Sequence, residues 1–175
     1  MRRATVLFSL AASCAFVATP APARLNGMLD AVKVSAASHG FAADLALARA
    51  EALRRGSPVV VCQSADGDQC TAAGGWALGW IVFVDADGNG RRGHGEALVL
   101  RERAFSRSLR AAGSFDAIPG VVFAPTGAAR FMGAGHAEAG SLTVCRTAES
   151  DGAVRVTYRP GRQPQVRSEA VADCA

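Results

Sequence analysis

From Leu25 to Arg55 the sequence keeps a helical period, and that stretch sets the frame for the rest of the chain. Val34, Phe41, Leu45, Ala48 and Ala52 recur at helical spacing and form a narrow apolar stripe, the pattern of a helix laid along a core. Alanine is frequent here and favours helix, while Gly40 is the weak point. Arg54 and Arg55 fall in the last turn and Gly56 follows. A basic last turn suits the negative end of the helix dipole, and glycine accepts the left-handed backbone that ends it.

Beyond Gly56 the period changes to that of strands. "PVVVCQ" is short and β-branched. "WALGWIVFVD" is the strongest strand pattern, and "EALVLRER" is placed to pair back on it as a hairpin. "GVVFAPTGAARFM" predicts a second hairpin turning at "PTG", and "GSLTVCR" and "GAVRVTYRPGRQPQVRS" continue the series. With 175 residues, half of them hydrophobic, the chain can bury one real core. The expected fold is α+β, a long N-terminal helix packed on an antiparallel β head, a sheet or a sandwich. The expected organisation is an export segment over 1–23, an amphipathic helix over 24–56 and a β head over 57–175.

The first residues read as that export segment. "MRR", an apolar run from Ala4 to Ala18 and a small-x-small site at Ala21-Pro22-Ala23 describe a secretory signal cut before Arg24. The run is short for a membrane span. Cys14 after "LAAS" only faintly echoes a lipid-attachment box. Export makes disulfides the natural use of the remaining Cys62, Cys70, Cys145 and Cys174. Four cysteines allow three pairings. Locality favours Cys62–Cys70 and Cys145–Cys174. Zinc is the rival use, but the spacings lack a C-x2-C pair.

Several stretches, taken in order, resemble the GspH/FimT family of pseudopilins and minor pilins. "LALARAEALRRGSPVVVC" looks like a pilin helix entering its first strand. "GGWALGWIVFVDADGNGRRGHGEALVL" is similar to the family's tryptophan-rich strand and following loop. "VVFAPTGAARF" matches an F-x-P-x-G turn at Phe123, Pro125 and Gly127. "LTVCR" and the terminal "DC" put two cysteines where the family tends to carry a pair. The resemblance implies a pilin-like fold and a structural subunit of a type II secretion system or type IV pilus. Its implied partners are other minor pilins or pseudopilins and the secretion or pilus machinery, with no small-molecule substrate. It also implies a periplasmic head, anchored to the inner membrane if the N-terminal segment is retained.

The front of the chain departs from that family. Mature type IV pilins begin close to G-F-T-L-I-E-L, and here the best match is "RATVLFSL". Arg3 stands where the glycine belongs, Ala4 where the phenylalanine belongs and Phe8 where the glutamate belongs. Pro20 and Pro22 fall near the proline at the end of the buried pilin segment. These residues favour an ordinary signal peptide on a pilin-like head over a degraded or misassigned prepilin start. The second function class is therefore a soluble periplasmic binding module, with DNA as its candidate ligand.

Catalysis finds little support. His39, His94 and His136 lie on the helix or in glycine-rich loops, no G-x-S-x-G occurs, and no serine or cysteine sits in a nucleophile's context. The expectation is a protein without enzymatic activity and without a cofactor, calcium excepted. Trp76 and Trp80, four apart, would face one side of a strand; they could form a partner-binding face, and the plainer reading is core at the helix–sheet contact.

Net charge is +4 and almost wholly arginine, so its placement matters more than its size. Arg155, Arg159, Arg162 and Arg167 form an acid-free stretch around "RPGR", suited to phosphate contact without sequence reading. A solvated basic hairpin is the plainer reading. In "DADGNGRRGHGE", Asp85, Asp87, Asn89 and Glu96 hold the spacing of a calcium loop, with Gly90 at its sharp turn. Strand patterns on both sides and the adjacent Arg91, Arg92 and His94 favour a polar hairpin connection instead.

Overall fold

The computed structural model describes residues 22–133, 137–147 and 152–169. Residues 1–21, and with them most of the export segment and Cys14, lie outside these, as do His136 and Cys174. Helix α1 spans Pro22–Arg55, starting slightly before the expected Leu25 and ending where expected. Gly56 is left-handed (φ 63) and its N–H donates to the Ala52 carbonyl at 3.0 Å. Val34, Phe41, Leu45, Ala48 and Ala52 are all at most 1% exposed, so the stripe is the face that meets the head.

Among the described residues nine strands follow: β1 (Val59–Gln63), β2 (Gly79–Val84), β3 (Leu98–Arg103), β4 (Leu109–Ala112), β5 (Gly120–Phe123), β6 (Ala129–Phe131), β7 (Gly140–Arg146), β8 (Ala153–Tyr158) and β9 (Gln165–Glu169). They form two sheets, in the orders β3-β2-β1-β5-β6 and β4-β7-β8-β9, with every pair antiparallel. Both sheets turn an apolar face to α1. Val59, Val61, Val82, Val121 and Phe123 come from the first, and Leu142, Val144, Val156 and Tyr158 from the second. All five residues of β1 are buried, because the far face of the first sheet is covered as well. There Val60, Cys62, Ile81, Phe83 and Val122 form a second apolar cluster, packed by Cys70, Leu98 and Met132.

The edges of the two sheets are short or charged. β3 ends in exposed Arg101, Glu102 and Arg103, and β9 carries Arg167 and Glu169 behind Pro164. β4 and β6 are only four and three residues long.

Two sequence expectations need correction. "WALGWIVFVD" is not one strand: Trp76–Leu78 form a 3-10 turn and β2 starts at Gly79. Gly79 has φ 108, and a Cβ there would lie 2.5 Å from the Glu102 carbonyl oxygen. Close approach of β3 therefore reserves the position for glycine and bends the chain before it. Trp76 and Trp80 consequently do not share a strand face, yet both are buried (0% and 2%). The stretch "LRAA" carries no strand signal, but forms β4 by pairing with β7, Leu109 opposite Arg146. The later strands thus make a second sheet.

Candidate functional site

Three features of the surface carry chemistry: the loop between β2 and β3, the exposed half of α1, and the β8–β9 hairpin. The loop is tied down at its start, where the Asp85 N–H donates to the Pro58 carbonyl (2.9 Å) and the Asp85 side chain is buried. Asp85 Oδ2 accepts the Gly90 N–H at 3.1 Å, and Oδ1 is buried without a hydrogen-bond donor among the described residues. Glu96 closes the loop from the other end, accepting the Ala86 N–H (2.7 Å) and the Gly93 N–H (2.9 Å) on its two oxygens. Asp87 lies alongside and accepts from the Asn89 N–H (3.1 Å) and the Asn89 side-chain amide (2.6 Å). Gly90 holds φ 74, and a Cβ there would press on Met132 at 3.1 Å, which accounts for the glycine at the turn.

The arginines of the loop do not sit over these carboxylates. Arg91 is exposed, and Arg92 turns away to pair with Asp68, which is also 3.9 Å from Arg101. Asp68 belongs to the loop closed by the Cys62–Cys70 disulfide, whose Cα atoms are 5.6 Å apart. The same loop is stitched internally by Asp66, which accepts the Asp68 and Gln69 N–H groups at 2.7 and 2.9 Å. Together the disulfide loop and the β2–β3 loop roof the second apolar cluster. Sequence reasoning missed the Asp68–Arg92 tie, which joins residues 24 apart with no local pattern to announce it. Cys145 is disulfide-bonded; its expected partner Cys174 lies outside the described residues.

Along α1, the apolar residues between Gly27 and Val34 face out, Ala31 included. Met28, Leu29 and Val32 are 69%, 59% and 66% exposed. This part is tacked to the head by Asp30, which accepts from the Ser108 hydroxyl at 3.0 Å and pairs with Lys33. Among the described residues no helix is long and apolar enough to cross a membrane.

The four arginines of the β8–β9 hairpin split into two groups. Arg155 pairs with Glu169 (3.1 Å) and donates to Thr143 Oγ1 (3.1 Å), with Arg167 directly opposite it on β9. β8 ends at Tyr158, so Arg159 begins the turn, where its carbonyl accepts the Arg162 N–H at 3.0 Å. At about 3.3 Å per residue, Arg155 and Arg159 stand about 13 Å apart. The hairpin presents a dispersed charge, one member of which is already countered.

His39 and His94 are exposed. The two tryptophans are core. Phe41 meets Trp76, Trp80 and Phe115 edge-on at 5.0, 5.2 and 5.4 Å. Trp76 Nε1 donates to the carbonyls of Phe115 (2.9 Å) and Ile118 (3.2 Å), and Trp80 Nε1 to Asp44 Oδ2 (2.9 Å).

Burial raises the Asp44 carboxyl above its ordinary 3.8, the Trp80 N–H pulls it back, and the Glu102 charge adds to the rise. A carboxyl raised in the fold binds more protons there than in the unfolded chain. Its contribution to stability is complete below 3.8 and is lost as pH climbs through the folded value. Asp44→Asn keeps an acceptor for Trp80 and removes this titration. In melting curves from pH 4 to 7, wild type should lose ground to the variant as pH rises. A constant difference would remove Asp44 from the pH dependence.

Comparison with known proteins agrees with the order of motifs. The family described as "Type II transport protein GspH" matches residues 37–161. Among solved structures, the fold is similar to the type IV minor pilin FimU of Pseudomonas aeruginosa. That match has a TM-score of 0.53 at 18% identity over 77% of this chain and 87% of that one. It is also similar to the minor pseudopilin EpsH from the Type 2 Secretion System of Vibrio cholerae, at 0.51 and 14% identity over 81% and 99%. At such identities the likeness is one of fold. No curated protein sequence matches the chain.

Proposed function

The chain belongs to the GspH family of type II transport proteins, and from that premise we propose how it works. It is a minor pseudopilin-like or minor pilin-like structural subunit, acting in the assembly of a type II secretion pseudopilus or a type IV pilus. Its partners are other pilins or pseudopilins and the machinery that assembles them. The head lies in the periplasm, held at the inner membrane where the N-terminal segment is retained. The role requires no catalysis.

The observation that carries this reading is the division of labour along α1. From Val34 onward the apolar stripe is spent on the head's own core, whereas Met28, Leu29 and Val32 remain exposed. Exposed apolar side chains on the solvent face of a helix whose other face is already spent on a core are suited to packing against other helices. They cost solubility and return nothing to the isolated subunit.

A strain lacking the gene tests the proposal. The wild-type chain is expected to restore secretion or piliation and to appear in sheared filaments. The Leu29→Asp, Val32→Asp double variant is expected to do neither, while the purified head melts within a few degrees of wild type because both positions are solvated. Full incorporation of that variant would remove the exposed stripe from assembly. Mass spectrometry of the mature N-terminus separates the filament subunit from a released periplasmic module: a chain starting at Arg24 would have shed its anchor.

A further inference from the structure

We propose that the β2–β3 loop is a calcium site, with Asp85, Asp87 and Glu96 supplying the carboxylate ligands. One oxygen from each lies within 4.8 Å of the others. Oxygens bound to one calcium ion at about 2.3–2.6 Å can stand at most about 5 Å apart, so the three are already gathered at coordinating separation. The donor set is all carboxylate oxygen, with no sulfur and no imidazole, which selects a hard cation.

The independent observation is at Asp85. Its side chain is 0% exposed, and its Oδ1 has no donor among the described residues although it sits beside two further carboxylates. A buried carboxylate oxygen with no partner is a large penalty unless something positive meets it. The nearby charges that act on Asp85 are those of Glu96 and Asp87, both of its own sign. The loop's arginines do not compensate, since Arg92 is committed to Asp68 and Arg91 is exposed. A divalent ion would meet Oδ1 and relieve the repulsion among the three groups.

The loop is built to keep this arrangement. Glu96 bridges the two ends of the turn through Ala86 and Gly93, and each of its oxygens keeps a lone pair for a cation. Asn89, at a ligand position in the sequence pattern, instead holds Asp87 in place through its side-chain amide. The ion is therefore held by three carboxylates, with backbone carbonyls and water completing its shell. The spacing is that of a helix–loop–helix site, but here the loop joins two strands, β2 and β3. This is a property of the head and does not depend on assembly into a filament.

The test is thermal unfolding of the full chain after removal of divalent ions with EDTA, followed by addition of calcium or magnesium. Calcium about tenfold above Kd should raise Tm by about 3–6 °C for a chain of this size. Magnesium at the same concentration should give no comparable rise, because it demands a tighter octahedron. Asp85→Asn should melt at or above wild type without calcium and show no calcium response, so that calcium closes the gap between them. Asp87→Asn, at an exposed position where folding is not at risk, should lose most of the response. Three results would each overturn the proposal: no calcium effect on wild type, an equal rise with magnesium, or an undiminished rise in Asp87→Asn.

Discussion

Trp76→Ala is expected to destabilise the head by about 3–5 kcal/mol, the range for truncating a fully buried large aromatic. The indole is 0% exposed and touches the rings of Phe41 and Phe115 at centroid distances of 5.0 and 5.6 Å. Its loss removes a ring that packs in this cage and also donates to the Phe115 and Ile118 carbonyls. Those two acceptors lie in the segment leading into β5, so the damage would reach the first sheet as well as the helix. Trp76→Phe separates the two contributions. It keeps a ring in the cage and removes only the indole donor, since the Phe115 carbonyl still accepts the Ile118 N–H (2.8 Å) and the Ile118 carbonyl the Gln63 side-chain amide (3.4 Å), and should cost about 0.5–1.5 kcal/mol. Urea unfolding followed by circular dichroism reads both variants. A loss below about 1 kcal/mol for alanine would mean that the cage collapses and refills. With total stabilities of domains commonly about 5–15 kcal/mol, the alanine variant should also accumulate poorly in the cell.

The second large effect is expected from the Cys62–Cys70 disulfide. Joining cysteines 8 residues apart removes unfolded-state freedom equivalent to about 2.5 kcal/mol by the chain-entropy argument. The bond also holds a loop over the second apolar cluster, in which Cys62 is itself wholly buried. The Cys62→Ala, Cys70→Ala double variant should therefore lose about 2.5 kcal/mol in guanidinium unfolding. It should also become more open to proteolysis within residues 63–70. Loss of less than about 1 kcal/mol would show that the Asp68–Arg92 tie alone keeps the roof in place.

How far the molecule could be read in advance depended on whether its interactions were local. The α1 stripe was legible because a helix converts spacing into a face, and all five of its named residues are buried. The β2–β3 and β5–β6 hairpins were legible because each joins two β-branched or aromatic runs that are adjacent in sequence and separated by Gly-, Asn-, Asp- or Pro-rich turn residues. The second sheet was not. "LRAA" has no intrinsic strand preference, and it takes its conformation from β7, more than thirty residues away. The bend at Trp76 was hidden for the same reason, since Gly79 answers to the Glu102 backbone and not to its neighbours in sequence. Asp44 left a signal that went unused: it stands three residues after Phe41 and four before Ala48, on the buried face, where an acid needs a partner such as Trp80. At the loop, spacing named the carboxylates but could not say where the arginines would point. Asp68 decided that from another part of the chain.

The treatment of the sheet margins has a consequence for a protein whose proposed role packs it among other pilins or pseudopilins. Exposed backbone at a sheet edge is an open invitation to a further strand. Here Arg101, Glu102 and Arg103 put alternating charge along β3, Arg167 and Glu169 do so along β9, and β4 and β6 stop after a few residues. Heads crowded side by side are thereby kept from fusing into a continuous ribbon. Contact between them stays reversible, and the register of any filament they join is left to the helices.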